Sequence, residues 1–228
     1  MNNLRGMDHV AAWVLGTNLV GMTLYIIFGT RQFYAHLTGA GINDLSAVIF
    51  HWASTWILLM LPVLFAWLAT GNSFKMAGFS LGDKKFGIIF SLLFIVVMAV
   101  PLYIGGHNPQ MAAEYPLFKG LSLKHPGMFA AYEGMYFLYY LAWEGTFRGI
   151  VLFAALREMS PMAAIVYETA ITTLLHYPKP TPEIFAALIG GIVFGLVALR
   201  TRSIFWPLLC HFFVGIITDL VTLGGVIR

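Results

Sequence analysis

The sequence is poor in charge and in cysteine. Only 10% of its 228 residues are Asp, Glu, Lys or Arg, and Cys210 is the single cysteine. One thiol excludes an internal disulfide and any cysteine-rich metal cluster, and its place in an apolar run marks it as buried and inert. The formal charge of +3 is too small to read as a footprint for nucleic acid, so none is expected as a partner. Repeats, low-complexity tracts and soluble domains are also lacking. What the chain has is apolar residues, 59% of the total, with a mean hydropathy of +0.81. One soluble core of this length cannot hide so much apolar surface, so lipid must be part of its solvent. Its 19 Phe, 10 Tyr and 6 Trp agree, since aromatic rings favour membrane interfaces and helix packing.

A bilayer core takes about 20 apolar residues per helix. Seven spans are predicted: Val10–Phe28, Leu45–Ala69, Phe86–Ile104, Met128–Leu156, Pro161–Leu175, Ile184–Leu199 and Ile204–Ile227. The fold class is therefore all-α, a polytopic membrane helix bundle of about seven transmembrane helices forming one membrane domain over residues 1–228. The segment MNNLRGMDHV has one arginine before a long apolar stretch with no small-residue cleavage site, which predicts a retained first helix. The longest connection, Gly105–Gly127, is punctuated by Pro and Gly and is expected on the membrane surface. Pro62, Pro101 and Pro207 are expected to kink their helices, and Gly190, Gly191 and Gly195 to admit a neighbouring helix closely. With the N-terminus inside, Arg5, Lys75, Lys84, Lys85, Arg157, Arg200 and Arg202 fall on the inner side. Arg31, Lys119, Lys124, Lys179 and Arg228 fall outside, a narrow bias for fixing orientation.

Polar residues within the spans carry the functional signal. Asn18 and His51 in the first half read as helix–helix hydrogen bonders, and Glu133, near a helix start, as interfacial. In the fourth span Glu144 and Arg148 are four residues apart, so they share a helix face and can pair. A charge at mid-membrane costs about 2.5–3.5 kcal/mol, so the pair calls for a polar cavity or a structural self-neutralisation. The fifth span sets Glu168, Thr172 and His176 in one stripe at i, i+4 and i+8. His176 precedes a Pro-rich turn in which Thr181, Pro182 and Glu183 read as a helix start. Lys179 and Glu183 read as structural or surface residues, and Glu168 as a partner for a histidine. The last span places His211, Gly215 and Asp219 on one face. Two histidines, each one or two turns from an acid, with a Glu–Arg pair nearby, form a constellation rather than isolated hydrogen bonders.

Three motifs, WEGTFRG (143–149), HYPKPTPE (176–183) and the late His211, resemble the CPBP family of CAAX proteases and bacteriocin-processing proteins, over about 127–219. This casts 127–224 as the catalytic core and 1–126 as peripheral N-terminal helices. In that family the first motif has two adjacent glutamates before Arg and Gly; Glu144, Arg148 and Gly149 match, while Trp143 stands for the first glutamate. His176 matches the second motif, with Thr172 where Phe is usual. His211 matches the third, with Gly215 where Asn or a similar polar residue is usual; Asp219, one turn on, is a possible substitute.

The resemblance implies an intramembrane endopeptidase of the glutamic type, acting on a membrane-associated peptide or protein near its terminus. Glu144 and His176 would activate water, Arg148 would hold the Glu144 carboxylate, and His211 would donate to the oxyanion. Glu168, Thr172 and Asp219 are supporting residues. No cofactor is expected; in a zinc variant Glu144, His176 and His211 would be the ligands. The expected location is the cell membrane of a prokaryote. The rival class is a non-catalytic relative: a membrane chaperone, immunity factor or transporter. Counting about 1.5 Å per residue sets Glu144 and His211 near 12–14 Å from one side but His176 nearer 22 Å, so a shared site requires a fold-back or shifted helix boundaries.

Overall fold

The computed structural model describes residue 6 and residues 8–226. Arg5 and Arg228 of the charge count, and Ile227 at the end of the last predicted span, lie outside these. The described residues form nine helices and no strand. They are α1 (His9–Phe28), α2 (Arg31–Thr38), α3 (Leu45–Ala69), α4 (Lys84–Gly106) and α5 (Pro109–Glu114), followed by α6, α7 (Pro161–Leu175), α8 (Thr181–Thr201) and α9 (Phe205–Val226). Helix α6 runs as Pro126–Glu144, a π-helical stretch Gly145–Val151 and a last turn Leu152–Ala155.

Five helices, α1, α3, α4, α8 and α9, are long and apolar enough to cross a membrane. The other two expected spans, α6 and the 15-residue α7, hold Glu133, Glu144, Arg148 and Glu168. Helix α4 turns most of its surface outward, with Val96 72% and Val97 66% exposed, as suits a helix lying against lipid. Helix α6 is its opposite, with residues 142–155 all buried. The charged helix is thus the central one, screened from lipid by its neighbours. The chain is an integral, multi-pass membrane protein.

The two ends of the bundle are tied by ion pairs. At one end Arg157 meets Asp8 at 2.7 Å and Arg200 meets Asp83 at 2.9 Å. At the other, Glu114 of α5 meets Arg31 of α2. The Gly105–Gly127 connection does not stay irregular, because it contains α5, started by an Asn108 side chain that accepts from the Gln110 N–H.

Local packing corrects several expectations. Pro207 lies in the first turn of α9, where its missing N–H costs nothing, so it starts a helix rather than kinking one. Pro62 is the second residue after a π-helical stretch, Thr55–Met60, whose wider turn accommodates the lost backbone bond. Pro101 does sit inside α4. Of the three small residues on α8, Gly191 and Gly195 admit α7 and Gly190 does not. A Cβ at 191 would lie 2.6 Å from Thr169, one at 195 would lie 2.8 Å from a Glu168 carboxylate oxygen, and one at 190 would meet nothing. Gly195→Leu is therefore expected to destabilise by about 1–3 kcal/mol through overpacking, and Gly190→Leu by almost nothing. Thermal unfolding in detergent measures both, and equal losses would contradict this packing.

Candidate active site

Four ionisable groups converge where α6, α7 and α9 meet. Glu144 ends the regular part of α6 and is fully buried; Arg148 follows on the π-helical stretch with 3% exposure. Such widened turns often occur at functional sites. The Arg148 guanidinium lies 3.6 Å from Glu144 Oε1 and 3.4 Å from Glu168 Oε2, so it serves two buried carboxylates at ion-pair range. The i, i+4 pairing holds, and Glu168 joins it rather than partnering a histidine. Glu144 instead takes the histidine: His211 Nδ1 donates to Glu144 Oε1 at 2.6 Å. Two carboxylates and one guanidinium leave one net negative charge in the cluster.

These bonds fix the rings. With its Nδ1 hydrogen directed at Glu144, His211 leaves Nε2 as its other nitrogen. His176 Nδ1 donates to the Thr172 carbonyl at 2.6 Å, so Nε2 is again the one left over. Thr172 is fully buried, and its hydroxyl donates to the Glu168 carbonyl at 3.0 Å, so its contribution is backbone support for His176.

Both histidines line one cavity of about 480 Å³. Consecutive turns of α6 bring them together: the His211 ring packs on Tyr140 with centroids 4.5 Å apart, and His176 meets Trp143 edge-on at 5.5 Å. The cavity that both histidines line extends from the His176 end of α7 to His211. Trp143, in place of a first glutamate, forms the wall between and rests on Phe147 at 4.8 Å. Glu144 and Arg148 do not line the cavity; His211 stands between Glu144 and the open space. Among the described residues no three His, Cys, Asp or Glu side chains gather at metal-ligand geometry.

The cavity draws on more of the chain than its second half suggests. Tyr25, Arg31 and His51 line it from the N-terminal helices, and Glu114, Tyr115, Lys179 and Glu183 from the far end. His51 is held by the Gly29 carbonyl at 2.9 Å, which agrees with a hydrogen-bonding role. Asn18 is buried on α1, bonded through Nδ2 to Met22. Lys179 and Glu183 do more than start a helix. Lys179 lies 3.1 Å from Glu114 and 3.8 Å from Glu183, while the Tyr115 hydroxyl donates to Glu183 at 2.8 Å. Together with Arg31 they ring the cavity mouth.

Burial by itself raises the Glu114 carboxyl, but Lys179 and Arg31 outweigh it and hold the group below the usual carboxylate range. A carboxyl depressed in the folded state adds stability above its unfolded value, and that stability is lost as pH falls through the folded value. The mouth is thus expected to stay tied at neutral pH and to loosen below about 4.5, the ordinary value for Glu. Hydrogen exchange over 109–114 and 177–180 checks this, and protection unchanged at about pH 3 would contradict it.

Two further residues depart from their expected places. Glu133 does not face outward: it is 3% exposed and lies beside Asp219, which is fully buried. Asp219 is thereby turned away from the cavity and does not stand in for a polar group at 215. Gly215 has a different neighbour, for a Cβ there would overlap the Tyr140 hydroxyl. Cys210 is buried beside Ser91, as an inert thiol should be.

Residues 125–217 match the family model described as type II CAAX prenyl endopeptidase Rce1-like. No curated protein matches the chain. No solved structure does either. The matched segment is less than half of the chain, yet it holds Glu144, Arg148, Glu168, His176 and His211. It is also the segment whose three motifs resemble CAAX proteases. Residues 125–217, the stretch that builds the two-histidine wall of the cavity, are what is similar to the Rce1-like CAAX endopeptidase family.

Proposed function

We propose that the chain is an intramembrane endopeptidase that cleaves a membrane-associated peptide or protein near its terminus, with water activated by the Glu144–His211 pair. The observation that carries this reading is the 2.6 Å contact between a fully buried carboxylate and a histidine on the cavity wall. A carboxylate on Nδ1 fixes the tautomer and makes Nε2 the base, the arrangement by which histidines serve hydrolases.

In the proposed step a water gives a proton to His211 Nε2 while its oxygen bonds to the scissile carbonyl carbon. The carbonyl oxygen takes the displaced electron pair. When the intermediate collapses, the C–N bond breaks and the His211 proton passes to the leaving nitrogen, giving a carboxylic acid and an amine. Glu144 stabilises the imidazolium between the two events, so it acts through His211 rather than touching the water. Arg148 keeps Glu144 ionised and in place. His176, with Nε2 left over, holds the water or the leaving amine from its own part of the wall. The cavity reaches the bundle end at Arg31 and Lys179, which suits a substrate presented at the membrane surface. No step is routed through a metal, so treatment with EDTA is expected to leave cleavage unchanged; loss reversed by zinc would contradict the proposal.

The test replaces Glu144, His176 and His211 singly by Ala and follows the size of membrane-anchored proteins and peptides in cells. Loss of processing in the His211 and Glu144 variants is expected. Wild-type processing in all three would end the protease reading, and loss of partner binding without any cleavage would favour a non-catalytic scaffold.

A further inference from the structure

We propose that the Tyr140 hydroxyl is the hydrogen-bond donor to the oxyanion formed during cleavage; this rests on the protease reading above. Tyr140 lines the cavity, and its ring packs against His211 at 4.5 Å, so the phenol belongs to the same wall as the proposed base. Its hydroxyl lies over Gly215, one helical turn along α9 from His211. That place exists only because residue 215 has no side chain: a Cβ there would overlap the phenol oxygen and the ring carbons Cζ and Cε2 of Tyr140.

The ring is not free to swing away. Tyr136 stacks on it at 4.5 Å, and Phe212 meets it edge-on at 6.2 Å. A phenol hydroxyl carries one hydrogen to donate, and on a cavity-lining residue that hydrogen is available to the cavity. A donor held rigidly in a water-poor site, next to the base, is what stabilisation of a developing negative charge requires. His211 must be unprotonated to accept the water proton, so it cannot supply that donor at the start of the step. Tyr140 fills the role without a change of protonation.

The experiment uses the full chain in lipid nanodiscs and an internally quenched prenylated CAAX peptide as probe. Four proteins are compared: wild type, Glu144→Gln, Tyr140→Phe and Gly215→Ala. Tyr140→Phe is expected to lower kcat about 100-fold or more with KM unchanged within about twofold, the size typical of one lost oxyanion donor. Gly215→Ala, which pushes the hydroxyl from its place, should lower kcat alike without touching Tyr140. If wild type shows no Glu144-dependent cleavage, the protease reading falls and this role with it. If cleavage depends on Glu144 but both Tyr140→Phe and Gly215→Ala keep kcat within about threefold, the role of Tyr140 alone is refuted.

Discussion

Arg148→Leu is expected to lower stability by about 3–5 kcal/mol, the loss typical when one member of a buried ion cluster is removed. The guanidinium stands between Glu144 and Glu168, at 3.6 and 3.4 Å, and both carboxylates have no exposed surface. Glu144 Oε2 and both Glu168 oxygens meet no hydrogen-bond donor among the described residues, so no other group would replace the arginine. Leucine matches the packing volume but leaves two buried acids facing each other. Glu168→Gln in the same chain removes one of those charges and should recover part of the loss. Unfolding in detergent of wild type, both single variants and the double variant gives the coupling directly. A single-variant loss under about 1 kcal/mol would show that the cluster does not depend on Arg148.

The second large effect is on chemistry. Glu144→Gln keeps the shape of the side chain yet reverses the hydrogen bond to His211. A glutamine amide donates to Nδ1, which moves the imidazole hydrogen to Nε2 and removes the base from the cavity. Turnover is expected to fall about 10³–10⁴-fold, the scale seen when a histidine is held in the wrong tautomer. Stability should change far less than in Arg148→Leu, because one negative charge leaves a cluster that carries one in excess. Parallel measurement of turnover and unfolding separates the two variants: Arg148 is lost mainly as structure, Glu144 mainly as activity. A Glu144→Gln protein that keeps more than about a tenth of wild-type turnover would place the base elsewhere.

The membrane fold was legible because apolar runs of helix length have few other readings; each predicted run overlaps a helix among the described residues, and five of those helices are long and apolar enough to cross a membrane. The pairing of Glu144 with Arg148 was legible too, since i, i+4 spacing sets two residues on one face wherever the helix goes. Contacts between helices were not. Nothing in the spacing of α7 directs Glu168 to Arg148 rather than to His176, and nothing in α9 tells that Asp219 is buried beside Glu133. The departures at Trp143 and Gly215 looked like losses of polar groups. In space Trp143 becomes the wall that carries His176, and Gly215 becomes room for a tyrosine from another helix. The mouth was missed because Arg31, Glu114 and Lys179 come from three distant segments, each of which reads as an ordinary surface connection. The only available signal was that three loops carry opposite charges at the same end of the bundle.

If the cavity wall formed by His176 and His211 hydrolyses a peptide bond at the membrane, new protein ends must appear there. Quantitative mass spectrometry of protein ends, in membranes from cells carrying the wild-type chain or Glu144→Gln, tests it most directly. A defined set of new carboxyl ends is expected, present with the wild type, absent with Glu144→Gln and carrying one oxygen from labelled water. Identical sets of ends from both cells, with each variant folded and present at equal amounts, would contradict it.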